Sequence, residues 1–181
     1  MFKRLFFILI LLGSLTQVKA QMKDWAAGFR VGEPGGFMIK RYLPSGRNAV
    51  EFNFGTYGGL WGTNRSYQGG SFQNIGFSMN ALYLWHRPTL VNSDLHYYYG
   101  AGPQFVSRNL FTDNSVYPET KRGLGAAGIA GLEYFPIDAP NLSFFAELGL
   151  YSELLPNPFF LHIQGGVGVK VNFYWGCSSV G

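Results

Sequence analysis

Residues Asn74 to His86 read NIGFSMNALYLWH. Ile75, Phe77, Met79, Ala81, Tyr83 and Trp85 fall on one parity. Asn74, Gly76, Ser78, Asn80 and His86 fall on the other, interrupted only by Leu82 and Leu84. A period of two over this length is a β-strand with one apolar and one mostly polar face. A helix would spread the same residues around its circumference. The stretch is longer than an ordinary strand of about 5–6 residues. It suits an oblique bilayer crossing, which takes about 9–11 tilted residues.

The pattern recurs along the chain. Val50, Phe52 and Phe54 oppose Glu51, Asn53 and Gly55. Tyr97, Tyr99, Ala101 and Phe105 oppose His96, Tyr98, Gly100 and Gln104. Ile163, Val167, Val169, Val171 and Phe173 oppose Gln164, Gly166, Gly168, Lys170 and Asn172. Eight strands are predicted: Trp25–Gly32, Gly36–Tyr42, Ala49–Tyr57, Phe72–His86, Leu95–Val106, Gly123–Phe135, Leu142–Tyr151 and Leu161–Trp175. The first two are short and alternate least clearly. No linker or low-complexity segment divides them.

Residues 1–20 read as a secretory signal. Lys3 and Arg4 form the basic start, Leu5–Leu12 the apolar run, and Val18-Lys19-Ala20 a small-residue cleavage site before Gln21. That apolar run is short of the roughly 20 residues a spanning helix needs. Lys3, Arg4 and Lys19 leave with the signal, so the 14 basic residues become 11 against 10 acidic. A near-neutral mature chain, residues 21–181, gives no reason to expect nucleic acid. Its length suits one domain. Cys177 is the only cysteine, which excludes an intrachain disulfide.

The two faces decide between a soluble sheet and a membrane barrel. A soluble barrel would turn its Gly-rich, weakly charged parity to water, which is poor surface material. In a membrane barrel the aliphatics and aromatics meet lipid, and Gly, Asn, Gln, Ser and paired charges line the interior. Only a closed sheet satisfies its backbone in hydrocarbon. The expectation is therefore an all-β, eight-stranded antiparallel up-and-down transmembrane barrel in a Gram-negative outer membrane. Connections Leu43–Asn48, Arg87–Asp94 and Pro136–Asn141 are compact and rich in turn residues. Glu33-Pro34-Gly35, Gly58–Ser71, Ser107–Arg122 and Ser152–Phe160 lie opposite and include the two longest. Short periplasmic turns and long extracellular loops put the N-terminus in the periplasm. Trp25, Tyr83, Trp85, Tyr97, Tyr134, Phe173 and Trp175 then form an outward aromatic girdle at the periplasmic rim. Phe37, Phe105 and few others form a thinner outer one.

Three segments carry a family likeness: Gly28-Phe29-Arg30-Val31-Gly32-Glu33-Pro34 leading to Lys40, Tyr97-Tyr98-Tyr99-Gly100-Ala101-Gly102, and Gly131-Leu132-Glu133-Tyr134. In these the chain resembles the small eight-stranded outer-membrane barrels of the OmpA- and OmpX-like class, over its whole mature length. The resemblance implies the architecture and no particular activity. It also implies delivery by the barrel assembly machinery, which reads an aromatic residue ending the last strand. The chain departs there, since Gly176–Gly181 follow Trp175. Barrels of this size include lipid A deacylases and palmitoyltransferases, so an outer-leaflet lipid-modifying enzyme is one alternative. A narrow channel for small or apolar molecules is another.

Among candidate sites, inward charges come first. Arg30, Lys40 and Lys170 share the predicted interior with Glu51, Glu133 and Glu147. An eight-stranded interior has room only for side chains, so these are expected to form a neutralising plug rather than an ion path. A turn through Leu43–Asn48 with Tyr42 opposite Ala49 sets Lys40 opposite Glu51. His86 and His96, as inward neighbours across a simple hairpin, would make a two-nitrogen, one-carboxylate metal site with Glu133; polar side chains in a wet vestibule are the plainer expectation. Catalysis is not expected: a Ser nucleophile needs an oriented His, and His162 has no Ser or acid on its face within two residues. No cofactor is expected. Arg65, Arg108, Lys121 and Arg122, in or beside the longest loops, are candidate contacts for lipopolysaccharide phosphate. The expected partners are outer-membrane lipid and the assembly machinery, with a monomeric barrel acting through its loops.

Overall fold

The structure, a computed structural model, describes residues 23–58, 66–67, 70–89, 94–112 and 119–174. The expectations for residues 1–20, Arg65, Trp175 and 176–181 lie outside them. Its strands are β1 (Trp25–Glu33), β2 (Gly36–Tyr42), β3 (Asn48–Tyr57), β4 (Ser66–Tyr67), β5 (Gly70–Pro88), β6 (Leu95–Thr112), β7 (Glu119–Tyr134), β8 (Leu142–Leu155) and β9 (Leu161–Phe173). The sheet runs β3-β2-β1-β9-β8-β7-β6-β5-β4, and β3 also pairs with β5. Apart from the two-residue β4, a hairpin extension of β5, eight antiparallel strands thus close a ring in which each barrel strand has two neighbours. This is the predicted barrel.

Its polarity is inverted relative to a soluble fold. Phe37, Leu148 and Ile163 are 69, 71 and 61% exposed on the outer wall, while Lys40, Glu51, Glu133 and Lys170 are 0% exposed inside. In the organising strand, Met79, Tyr83 and Trp85 face out; Ser78, Asn80, Leu82, Leu84 and His86 face in and are buried. Leu82 and Leu84, the two breaks in the polar parity, pack inside with Tyr42, Tyr98 and Ile129. A continuous exposed apolar wall far exceeds the few hundred Å2, roughly, that water-soluble surfaces carry. Facing hydrocarbon, it satisfies both its side chains and its backbone.

Several strands run further than the alternation predicts, and the longest extensions are on the side away from the N-terminus. β6 continues to Thr112, β7 starts at Glu119 and β8 reaches Leu155. The reason lies outside the apolar belt. Beyond Phe105 and Leu124 the outward positions become Ser107, Asn109, Arg122 and Thr120, so the parity contrast fades while backbone pairing continues.

Large inward side chains are accommodated by glycine across the strand. Gly131 pairs with Tyr98, and a Cβ at Gly131 would stand 2.8 Å from Tyr98 Cζ and 2.7 Å from the Ala146 carbonyl. Gly131→Val is therefore expected to destabilise the refolded barrel by about 1–3 kcal/mol through overpacking, read as a lower urea midpoint. An unchanged midpoint would show that the Tyr98 ring is free to shift.

Candidate functional site

Six strands project the inner charge cluster. β1 supplies Arg30, β2 Lys40, β3 Glu51, β7 Glu133, β8 Glu147 and β9 Lys170 opposite Gly28. Lys40 and Glu51 are register partners, with Tyr42 opposite Ala49, so the β2–β3 turn alone brings them together. Lys40 Nζ lies 3.0 Å from Glu51 Oε2 and 3.1 Å from Glu133 Oε2. Lys170 Nζ lies 2.6 Å from Glu133 Oε1. The same carboxylate accepts from Tyr42 (2.8 Å) and Ser143 (2.9 Å). Arg30 Nη1 meets Glu147 Oε1 at 2.6 Å, and the Tyr98 hydroxyl donates to Glu147 Oε2.

Three cations and three carboxylates thus balance in a space where an unpaired ion would be costly. Uncharged groups extend the layer. Asn53 donates to Glu51 at 3.0 Å and to Asn80 at 2.9 Å, and Gln104 donates to Ser78 at 3.1 Å. The Lys40 ammonium also stands 4.6 Å from the Tyr98 ring centre, and Lys170 the same distance from Phe145, distances at which a cation is attracted to the ring face.

A second buried layer lies nearer the opposite rim, and the sequence expectations did not include it. Arg108 Nη2 pairs with Glu153 Oε2. The guanidinium carbon stands 5.2 Å from the Tyr57 ring, 4.6 Å from Tyr67 and 5.3 Å from Phe160. Glu153 Oε1 also accepts from the Tyr67 hydroxyl and, at 3.2 Å, from the Asn157 amide. His162 Nε2 pairs with Glu33 Oε1, which also accepts the Gly58 amide at 2.9 Å. Arg30 links the layers, since its Nη2 donates to the Glu33 carbonyl at 3.2 Å.

Part of this layer had a signal. Arg108 continues the inward parity of Gln104 and Val106, and Glu153 that of Glu147 and Tyr151. Glu33 had none. Inward positions on β1 are even-numbered, and Gly32, at φ +152°, breaks the alternation and turns odd-numbered Glu33 inside. His162 consequently has an acid partner that no spacing along the chain shows.

Two expectations are corrected. Arg108 is not a loop residue at the outer surface: it is in β6, 1% exposed and ion-paired inside the barrel, so it is withdrawn from the candidate lipid contacts. Lys121, opposite it in register, is half-buried, while Arg122 is exposed on the outer wall. His86 and His96 are not opposite neighbours, because the β5–β6 register sets His96 against Pro88 and His86 against Tyr98. His86 stacks on Tyr98 at 5.0 Å, His96 packs edge-on to Phe135, and Glu133 is engaged by the two lysines. Among the described residues no three His, Cys, Asp or Glu side chains converge on a metal position. Of the girdle residues, Tyr83, Trp85, Tyr97 and Tyr134 are exposed on the outer wall, with Trp25 and Phe173 half-buried at the same rim. Trp85 stacks on Tyr99 at 5.6 Å, and Arg41 stands 5.3 Å over Trp25.

No protein-family model matches the chain, and no curated protein matches it. Among solved structures it is similar to Neisserial surface protein A, NspA, at 17% identity and a TM-score of 0.46, covering 82% of this chain and 94% of that one. It is also similar to Ail, the attachment invasion locus protein of Yersinia pestis, at 18% identity and a TM-score of 0.48, covering 84% of this chain and 100% of that one.

Removing Lys40 leaves Glu51 without a cation at hydrogen-bond distance and Glu133 with one, whereas removing Glu51 leaves Lys40 paired with Glu133. Breaking a buried pair typically costs about 3–5 kcal/mol. Lys40→Met is therefore expected to fall in that range and Glu51→Met below it, with the double change costing less than the sum, all measured by urea unfolding. Strict additivity would show that the two side chains are energetically independent. Glu153→Gln is expected to speed proteolysis of the outer hairpins without unfolding the barrel, because its carboxylate joins Tyr67, Arg108 and the β8–β9 turn. Equal cleavage rates would remove that role.

Proposed function

We propose that this chain is an integral outer-membrane barrel with a filled lumen, acting as a structural or interaction protein through its outer connections. One observation carries it: contacts follow one another through the interior, from Tyr42 and Glu133 through Lys40, Tyr98, Glu147 and Arg30 to Glu33 and His162. Ions crossing there would have to break several buried pairs. The chemistry of the interior is spent on holding the barrel together, which leaves the wall and the rims to meet other molecules.

The wall supports the membrane half of the proposal. Its apolar belt is bounded at the N-terminal rim by Trp25, Tyr83, Trp85, Tyr97, Tyr134 and Phe173, the place of an interfacial girdle. With that rim periplasmic, export by residues 1–20 and delivery by the assembly machinery follow. Arg122, exposed where the belt ends beside Leu124, is the cation best placed for lipopolysaccharide phosphate. We assign the protein no catalysis, since His162 has no exposed surface for a substrate to reach, lying inside against the Tyr57 ring, and His86 is buried and stacked on Tyr98.

Two measurements test this. The purified protein in planar bilayers is expected to show no steady conductance, and stable open channels would overturn the filled lumen. Replacing residues 59–65 and 113–118, which join β3 to β4 and β6 to β7, with tight turns is expected to leave a folded barrel, since Tyr67, Arg108 and their partner Glu153 are kept. Cells carrying that variant should match a deletion strain in detergent sensitivity and surface adhesion. If they instead match the parent, the loops do not carry the role.

A further inference from the structure

The turn between β8 and β9 places an aromatic residue where water would be the worst neighbour. Phe159 is 86% exposed. Its φ of +68° is a left-handed conformation that a bulky L residue adopts only when its surroundings impose it. The surroundings are visible. The Phe159 amide donates to the Glu153 carbonyl at 3.0 Å, and the Glu153 amide to the Phe160 carbonyl at 2.9 Å. The Glu153 side chain, buried against Arg108, accepts the Asn157 amide at 3.2 Å. Phe160 turns inward and meets Tyr67 edge-on at 5.0 Å. The turn is thereby anchored from inside the barrel, and Phe159 is what it presents outside.

The level of this residue is set by register. Leu155 lies opposite Leu124, the last apolar outward position of β7 before Arg122. Leu161 lies opposite Ser152, and Phe159 follows one hydrogen-bonded step beyond that pair. Around it Leu154, Leu155 and Leu161 are 57, 63 and 56% exposed, continuous with Ile163 on the belt. On β6 and β7 the same level is already polar, with Ser107 and Arg122 facing each other. Among the described side chains of β6 to β9 at this rim, the apolar belt rises at the β8–β9 turn, and the rise ends on an aromatic ring.

We infer that the β8–β9 turn is a membrane anchor: Phe159, with Leu154 and Leu155, inserts into the lipid surface at the edge of the outer-leaflet hydrocarbon, beside Arg122 at headgroup level. The occupant is lipid rather than a protein because the patch continues the lipid-facing belt along β9, through Leu161 and Ile163. An aromatic ring at that depth is where such side chains concentrate in membrane proteins. Phe159 thus supplies the outer girdle that Phe37 and Phe105 alone leave thin. The inference rests on the membrane-barrel reading above.

Depth measurements separate the two. Nitroxide labels are placed singly on Phe159→Cys, Asn157→Cys and Ile163→Cys in a Cys177→Ser background, in the full mature chain refolded into phosphatidylcholine vesicles. Accessibility to oxygen, which enters hydrocarbon, is compared with that to a water-soluble nickel chelate. The expected result is a several-fold higher oxygen-to-nickel ratio at 159 than at 157, approaching that at 163. A ratio at 159 equal to that at 157, with 163 in hydrocarbon, overturns the anchor and leaves the barrel reading standing. An aqueous ratio at 163 overturns both. If Phe159→Cys does not refold, Leu154→Cys reports the same level with the same two outcomes.

Discussion

Glu133 binds four side chains from three other strands: Lys40 and Tyr42 of β2, Ser143 of β8 and Lys170 of β9. A carboxylate with no exposed surface has to be neutralised and hydrogen-bonded by what surrounds it. In a ring of eight strands everything that surrounds it is another strand. This condition ties the strands together across the lumen, in a direction that the backbone ladder between neighbours does not span. The backbone closes the sheet; Glu133 and its partners set what the closed sheet contains.

The two polar layers differ in what they hold. The layer around Glu133 joins strand to strand in the middle of the barrel, with charges in equal number and aromatic rings beside the lysines. The layer around Glu153 and Glu33 joins strands to connections: β4 through Tyr67, the β8–β9 turn through Asn157, and the end of β3 through Gly58. Buried pairing of this kind contributes little net stability over a packed apolar interior. Its value here is that it specifies which residues of the outer rim are held, and so which surfaces the rim presents. That coupling between a buried acid and an exposed turn connects the interior to the protein's exterior chemistry.

The wall follows from the same alternation seen from the other side. Because successive side chains alternate, an inward polar residue is flanked by outward ones, and beside Arg30, Glu51 and Lys170 those are Phe and Val. The barrel carries its polar core and its apolar coat on the same strands. A shift of one residue in register would exchange them along a whole strand, so the pattern that selects the fold also protects it against slippage.

Period-two alternation, the turn residues and the scarcity of charge were enough to determine the barrel, its strand number, and the facing of Lys40 against Glu51. Those depend on local geometry: a short turn sets a register, and parity sets a face. Strand ends beyond the belt were not legible, because polar residues on both faces erase the period while pairing goes on. Arg108 and Glu153 kept their strands' parity, but in segments that composition marked as loop. Glu33 could not have been found, since Gly32 turns it inside against the parity of β1. The convergence of Lys40 and Lys170 on Glu133, the pairing of His162 with Glu33, and the separation of His86 from His96 were decided by tertiary structure alone. Each joins residues distant along the chain, and the closing curvature and strand-to-strand registers that bring them together, or hold them apart, are properties of the whole ring.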